Sequence, residues 1–221
     1  MSAAGKKYRE VESLHAEFAQ RCELIRARLE DFARVPAGHY FYELAYCLLT
    51  PQSSAARAES VVRALQHVSF QERGDNPTAL LRQRDQYIRF HNTKARRLLA
   101  IRDLYPLVER ELAQSRNTPD FAWRNASRLR EWLVANVKGL GWKEASHFLR
   151  NIGYRNLAIL DRHILRNLRR HGVLRSLPQS ITPKRYLAIE QRFALFSTAV
   201  GITLDELDLL FWSRETGEIR K

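Results

Sequence analysis

Apolar residues recur at steps of three and four along most of this chain, the period of helices that bury one face. The first run is Val11, Leu14, Phe18, Cys22, Ile25, Leu29 and Phe32. Val35-Pro36-Ala37-Gly38 breaks it, and a second helix from His39 to Leu49 presents Phe41, Leu44, Ala45 and Leu48. Thr50-Pro51-Gln52-Ser53-Ser54 is a short polar break before a helix marked by Val61, Val62 and Leu65. Thr93 or Asn92 is placed to cap a helix carrying Leu98, Leu99 and Ile101. After a loop over Leu174 to Pro183, a helix aligns Tyr186, Ile189, Phe193 and Phe196. Thr203-Leu204-Asp205-Glu206 then reads as a capping box that opens the last helix, with Leu207, Leu210 and Phe211 inside. No stretch alternates as a half-buried strand does, and nothing repeats. The expected class is all-α.

One stretch departs from simple amphipathic pattern. Leu129, Leu133 and Val137 share a face of the helix over Phe121 to Val137. Lys138-Gly139-Leu140-Gly141 then breaks the chain, and Trp142 opens a new helix burying Ala145, Phe148, Leu149 and Ile152, with Gly153 as its stop. Asp161 is placed to cap a third helix. Two glycines one residue apart leave backbone amides uncrowded at a helix N-terminus, where unpaired N–H groups and the helix dipole attract phosphate. That is the pattern of a helix-hairpin-helix, with Lys138, Gly139 and Gly141 against a nucleic-acid backbone whose sequence it does not read. A Gly-x-Gly between helices is common, so this feature alone is weak.

Charge points the same way. In 221 residues there are 37 Lys and Arg against 24 Asp and Glu, a formal net charge of +13, which favours a polyanionic partner. Arg89-Phe90-His91-Asn92-Thr93-Lys94-Ala95-Arg96-Arg97 interleaves aromatics, amide and cations. It reads either as a solvated basic helix face or as a phosphate-contacting surface. The two cysteines, Cys22 and Cys47, lie in apolar helical surroundings and are expected to be buried thiols of a reducing compartment. Two cysteines cannot hold a four-cysteine metal or iron–sulfur site. The N-terminal residues lack the apolar core of a signal peptide, and no run approaches the roughly 18 apolar residues of a membrane helix. An intracellular protein is expected, with no membrane partner.

Lys143 stands just past the turn, and Asp161 follows it by 18 residues. Singly, these are a surface lysine and a helix cap. Together behind the Gly-x-Gly turn, within Ile159-Leu160-Asp161-Arg162-His163, they resemble the helix-hairpin-helix DNA glycosylases. The run Lys143-Glu144-Ala145-Ser146-His147-Phe148-Leu149-Arg150-Asn151 narrows the resemblance to the second type of 8-oxoguanine DNA glycosylase/AP lyase. It extends from about Tyr42 to Lys221. The resemblance implies a bifunctional enzyme that excises 8-oxoguanine from damaged double-stranded DNA in base excision repair. Such an enzyme must evert the nucleotide, because the sugar of a stacked base is out of reach. Lys143 would attack C1′ and form a Schiff base that permits β-elimination, its neutral amine favoured by partial burial and the positive helix end. Asp161 would stabilise the developing oxocarbenium ion and accept a proton.

The resemblance also implies an architecture: a helical barrel domain with the hairpin over residues 54–170, and a second, discontinuous domain of residues 1–53 plus 171–221, with a cleft between. It makes Gln52 the opposite-strand or gap-filling residue, though Pro51-Gln52 departs from the family's Thr-Ala-Asn. It assigns Trp212 and the terminal Lys221 to base recognition. No cofactor or metal is expected beyond a monovalent cation that hairpins of this superfamily can hold, and His147 and His163 have no metal-ligand spacing. A monomer is expected. Two rivals are carried: a glycosylase/lyase for another oxidised base such as thymine glycol, and a non-catalytic helix-hairpin-helix that only binds DNA.

Overall fold

The computed structural model describes residues 8–116 and 122–219, and among these the chain is all α, with no strand. In chain order the helices are α1 (Val11–Ala33), α2 (Tyr40–Leu49), α3 (Ala55–His67), α4 (Phe70–Arg73), α5 (Thr78–Arg82), α6 (His91–Arg116), α7 (Ala122–Asn136), α8 (Trp142–Asn151), α9 (Arg162–Arg170), α10 (Pro183–Val200) and α11 (Leu204–Thr216). The chain separates into two units: Val35–Ile152, and the segments Met1–Arg34 and Gly153–Lys221 taken together. The divisions fall at 34/35 and 152/153, not near 53 and 170. Packing explains the difference: α2 belongs with α3, α6 and α8, whereas α9 belongs with α11.

The Val35–Ile152 unit is built around α2. All ten of its residues are buried, as in a helix apolar on every side. Phe41 packs edge-on to Tyr42 and Tyr105, ring centroids 5.2 Å apart in each case, and tilts against Phe70. Each such buried apolar side chain contributes about 1.5–3 kcal/mol. The one acid on the helix, Glu43, accepts a hydrogen bond from the Asn151 amide of α8 at 3.0 Å, so its buried carboxyl has a polar partner. That contact and the Tyr46–His147 ring contact seat α8 on the core. The short helices α4 and α5 carry no hydrophobic period and were not expected. Helix α6 begins at His91, ahead of Asn92 and Thr93, so neither residue is its cap; Phe90 turns the chain with φ 60° and its carbonyl accepts from Lys94 N–H.

In the second unit α11 lies against α1, α9 and α10. Its N-terminus carries the expected capping box, Thr203 Oγ1 accepting from Glu206 N–H while Glu206 accepts from Thr203 N–H. Near its C-terminal end, Arg214 pairs with Glu17 of α1 and donates to Asn167 Oδ1 and His171 Nε2, both at 2.9 Å. His171 in turn donates from Nδ1 to the Arg9 carbonyl at 2.8 Å and stacks between Phe196 and Phe211. Gly153 does stop the hairpin's second helix, with φ +95° and the Ala33 Cα only 2.9 Å from where a Cβ would stand. Any other residue there would strain the backbone and push against α1. Cys47 is fully buried as expected; Cys22 is only half-buried, because it lies at the edge of the buried stripe of α1.

Candidate active site

The hairpin forms where the glycines place it. Helix α7 ends at Asn136, Leu140 N–H bonds back to the Val137 carbonyl, and Gly139 takes φ +94°. Leu140 is buried and pins the turn, while Lys138 is exposed. Gly141 is the N-cap of α8 and offers no side-chain cap, so the backbone amides of a helix start lie beside the turn. Behind the turn, the fully buried Arg130 of α7 donates to Ser146 Oγ at 3.1 Å, its guanidinium 4.9 Å from the Trp142 ring centroid. These contacts tie the two hairpin helices together.

Two charged residues beside the turn were not singled out by spacing. Arg97 of α6 lies against Gly139, where a Cβ would stand 2.4 Å from its Nε, so a guanidinium from a distant helix borders the turn. Glu144 folds back toward Gly141, with Oε2 2.9 Å from the position a Cβ would take. Lys143 sits in the first turn of α8, about a quarter exposed, with Nζ 3.3 Å from Glu144 Oε1. An amine paired with Glu144 is thus held at the mouth of the hairpin, beside a helix start whose dipole attracts a phosphate.

Asp161 occupies the N-cap of α9 and is partly exposed. Its Oδ1 accepts from His163 N–H at 2.8 Å and Ile164 N–H at 2.9 Å; Oδ2 takes no hydrogen bond among the described residues. The strand-like approach to it, residues 154–160, has no regular structure and borrows partners from α10 and α11. Asp205 accepts from Asn156 N–H, Glu190 from Ala158 N–H, and Tyr186 from Leu160 N–H. Such borrowed bonds satisfy a buried loop backbone and fix the carboxylate at its end. His163 and Arg166 both reach Glu215 of α11, tying the residues beyond Trp212 to α9. Trp212 is partly buried; Lys221 lies outside the described residues.

The hairpin residues Lys138, Gly139, Gly141 and Lys143 are brought together in the Val35–Ile152 unit, and Asp161 and Trp212 belong to the other. Gln52 is exposed in the turn after α2, with φ 56°. Lys94 corrects the reading of its basic run: it is 2% exposed and faces inward, so it is neither a solvated nor a phosphate-contacting side chain. A cavity of about 760 Å³ in the second unit, lined by Arg9, Arg175, Arg185 and Arg192 among others, holds none of the expected site residues. Among the described residues no group of three His, Cys, Asp or Glu could hold a metal ion, and no helix is long and apolar enough to cross a membrane.

Residues 25–202 match the family described as 8-oxoguanine DNA glycosylase. The chain is 35% identical to the 8-oxoguanine DNA glycosylase/AP lyase of Fusobacterium nucleatum, covering 97% of each chain. It is 39% identical to that of Korarchaeum cryptofilum, over 90% of this chain and 91% of the relative. Among solved structures it is similar to the 8-oxoguanine DNA glycosylase of Thermotoga maritima, with TM-score 0.81 and 29% identity over 96% of this chain and 98% of that one. It is also similar to the Methanocaldococcus jannaschii 8-oxoguanine glycosylase/lyase in complex with a 15mer DNA containing 8-oxoguanine, with TM-score 0.76 and 28% identity over 95% of this chain and 100% of that one.

Proposed function

The chain belongs to the 8-oxoguanine DNA glycosylase family, and from that premise we propose that it excises 8-oxoguanine from duplex DNA and cuts the strand through a lysine Schiff base. The observation that carries the reading is the position of Lys143: an amine about a quarter exposed, in the first turn of a hairpin helix with no side-chain cap. A phosphate held at the Gly139–Gly141 amides, with Lys138 and Arg97 beside it, would bring a nucleotide's sugar to that amine.

Lys143 Nζ then attacks C1′ as the glycosidic bond breaks, and the departing base takes the bonding electrons. Positive charge develops on the sugar ring, and a carboxylate oriented toward it lowers the barrier. Asp161 supplies that charge through Oδ2, its Oδ1 being held by two amides. Asp161 takes the amine proton and returns it to the ring oxygen as the ring opens, which gives the iminium. Removal of a C2′ proton then expels the 3′ phosphate oxygen, which is β-elimination. Gln52 fills the gap left in the stack, and Trp212 with Lys221 reads the everted base. The amine and carboxylate suffice for these steps, so we read the enzyme as needing no cofactor, as a monomer acting on damaged DNA inside the cell.

The test is a set of otherwise identical duplexes bearing 8-oxoguanine, guanine or thymine glycol, with free base and cut strand measured together. The expected result is release of 8-oxoguanine with strand scission and no release of guanine. Equal or faster cleavage at thymine glycol would overturn the purine assignment, and tight binding without cleavage of any duplex would leave only a DNA-binding hairpin.

A further inference from the structure

Lys94 is buried, charged and unused by the chemistry above. It lies in the first turn of α6, and its Nζ donates to the Leu49 carbonyl at 2.6 Å, the Pro51 carbonyl at 2.7 Å and Ser53 Oγ at 3.1 Å. An ammonium has three donors, and all three are used. The same Ser53 Oγ accepts from Arg89 N–H at 3.1 Å. One ammonium and one hydroxyl therefore tie together the end of α2, the turn after it and the turn that precedes α6.

Each tied turn holds one residue in a left-handed conformation that is not glycine: Gln52 at φ 56° and Phe90 at φ 60°. Both side chains are exposed, Phe90 by 51%. Left-handed backbone costs a side-chain-bearing residue about 1–2 kcal/mol. Burying an ammonium is costly as well: burial, and then the neighbouring Arg97 charge, push Lys94 down to about 8. Glycines at 52 and 90 would close the same turns with less strain. Stability is spent here to aim two exposed side chains, an amide and an aromatic ring, in fixed directions.

We propose that Lys94 is a positioning residue that holds the Gln52 and Phe90 turns as one rigid element entering the duplex during base eversion. The proposal rests on the excision reading and deepens it: the brace acts on eversion, not on bond breaking at Lys143. It therefore matters for a base that must leave a stack and not for a sugar that is already bare.

The experiment compares a duplex containing 8-oxoguanine with a single-stranded oligonucleotide containing a preformed abasic site, for wild type, Lys94→Met and Ser53→Ala. Binding to the duplex is followed by anisotropy, and eversion by the fluorescence of 2-aminopurine beside the lesion. Lys94→Met is expected to cut the abasic strand within about twofold of wild type. It is also expected to lose the 2-aminopurine signal and slow excision from duplex by about 100-fold, the scale of an ångström-sized misplacement. Ser53→Ala is expected to show the same split at smaller size. Excision by Lys94→Met at the wild-type rate, or parallel loss of both activities, would overturn the proposal. If Lys94→Met does not fold, the presence or absence of the split in Ser53→Ala decides. A wild-type protein that cleaved the abasic strand but not the lesion duplex would overturn the excision reading itself, a pattern distinct from either variant result.

Discussion

Asp161 carries two duties that two substitutions can separate. Its Oδ1 caps α9 through two amide bonds of 2.8 and 2.9 Å, and its Oδ2, which takes no hydrogen bond among the described residues, is the oxygen we propose for the sugar. Asparagine caps a helix about as well as aspartate, whereas alanine gives up the cap at a cost of about 0.5–2 kcal/mol. Asp161→Asn should therefore unfold within a few tenths of a kcal/mol of wild type. Asp161→Ala should lose about 1 kcal/mol, or roughly 2–4 °C in melting temperature for a chain of this size. Both lose the charge proposed to act on the sugar. Removing one preorganised electrostatic contact costs about 100- to 1,000-fold in rate, roughly 2.7–4 kcal/mol of barrier, so excision should fall at least that far in both. Single-turnover excision at saturating enzyme, set beside thermal melts, gives the two numbers independently. Asp161→Asn excising at the wild-type rate would refute the electrostatic duty; Asp161→Ala melting with wild type would refute the cap.

Other expectations follow from particular contacts. Gly139→Ala places a Cβ 2.4 Å from Arg97 Nε at φ +94°, so it should cost about 1–2 kcal/mol and weaken binding to undamaged and damaged duplex alike, read by anisotropy at fixed salt. Burial holds His171 below the usual histidine range, so the folded protein keeps it neutral while the unfolded chain takes up a proton. Stability should be flat above about pH 6.5 and fall as pH drops below it. Melts against pH should show a shallower fall in His171→Gln. Burial raises the Cys47 thiol well above the ordinary range, and Cys22 is half-buried. A thiol reagent should therefore modify one cysteine in the native protein and two in denaturant, and the native site should be Cys22.

Much of this was written locally in the sequence. The Thr203–Glu206 box, the Asp161 cap and the Gly139–Gly141 turn each depend on residues within four positions, so pattern alone placed them. The buried polar residues were not legible, because their partners are remote in the chain. Lys94 reads as one more surface cation until Leu49, Pro51 and Ser53 are known to surround it. Arg214 reads as a tail charge until Glu17, Asn167 and His171 meet it. Arg97 and Gly139 are neighbours only through the packing of α6 and α7. The expected divisions at 53 and 170 missed for a related reason: which helices share a unit depends on burial of α2 and α9 against non-sequential partners.

The central claim is that the Lys143 amine becomes covalently joined to the sugar. Borohydride trapping on a duplex with a single 8-oxoguanine tests it directly, with wild type and Lys143→Gln side by side and an undamaged guanine duplex as reference. The account predicts a covalent protein–DNA band for wild type on the damaged duplex alone, and none for Lys143→Gln despite retained binding. A band that survives the substitution would place the nucleophile on another amine, and its absence in wild type bound to the lesion would contradict Schiff-base chemistry altogether.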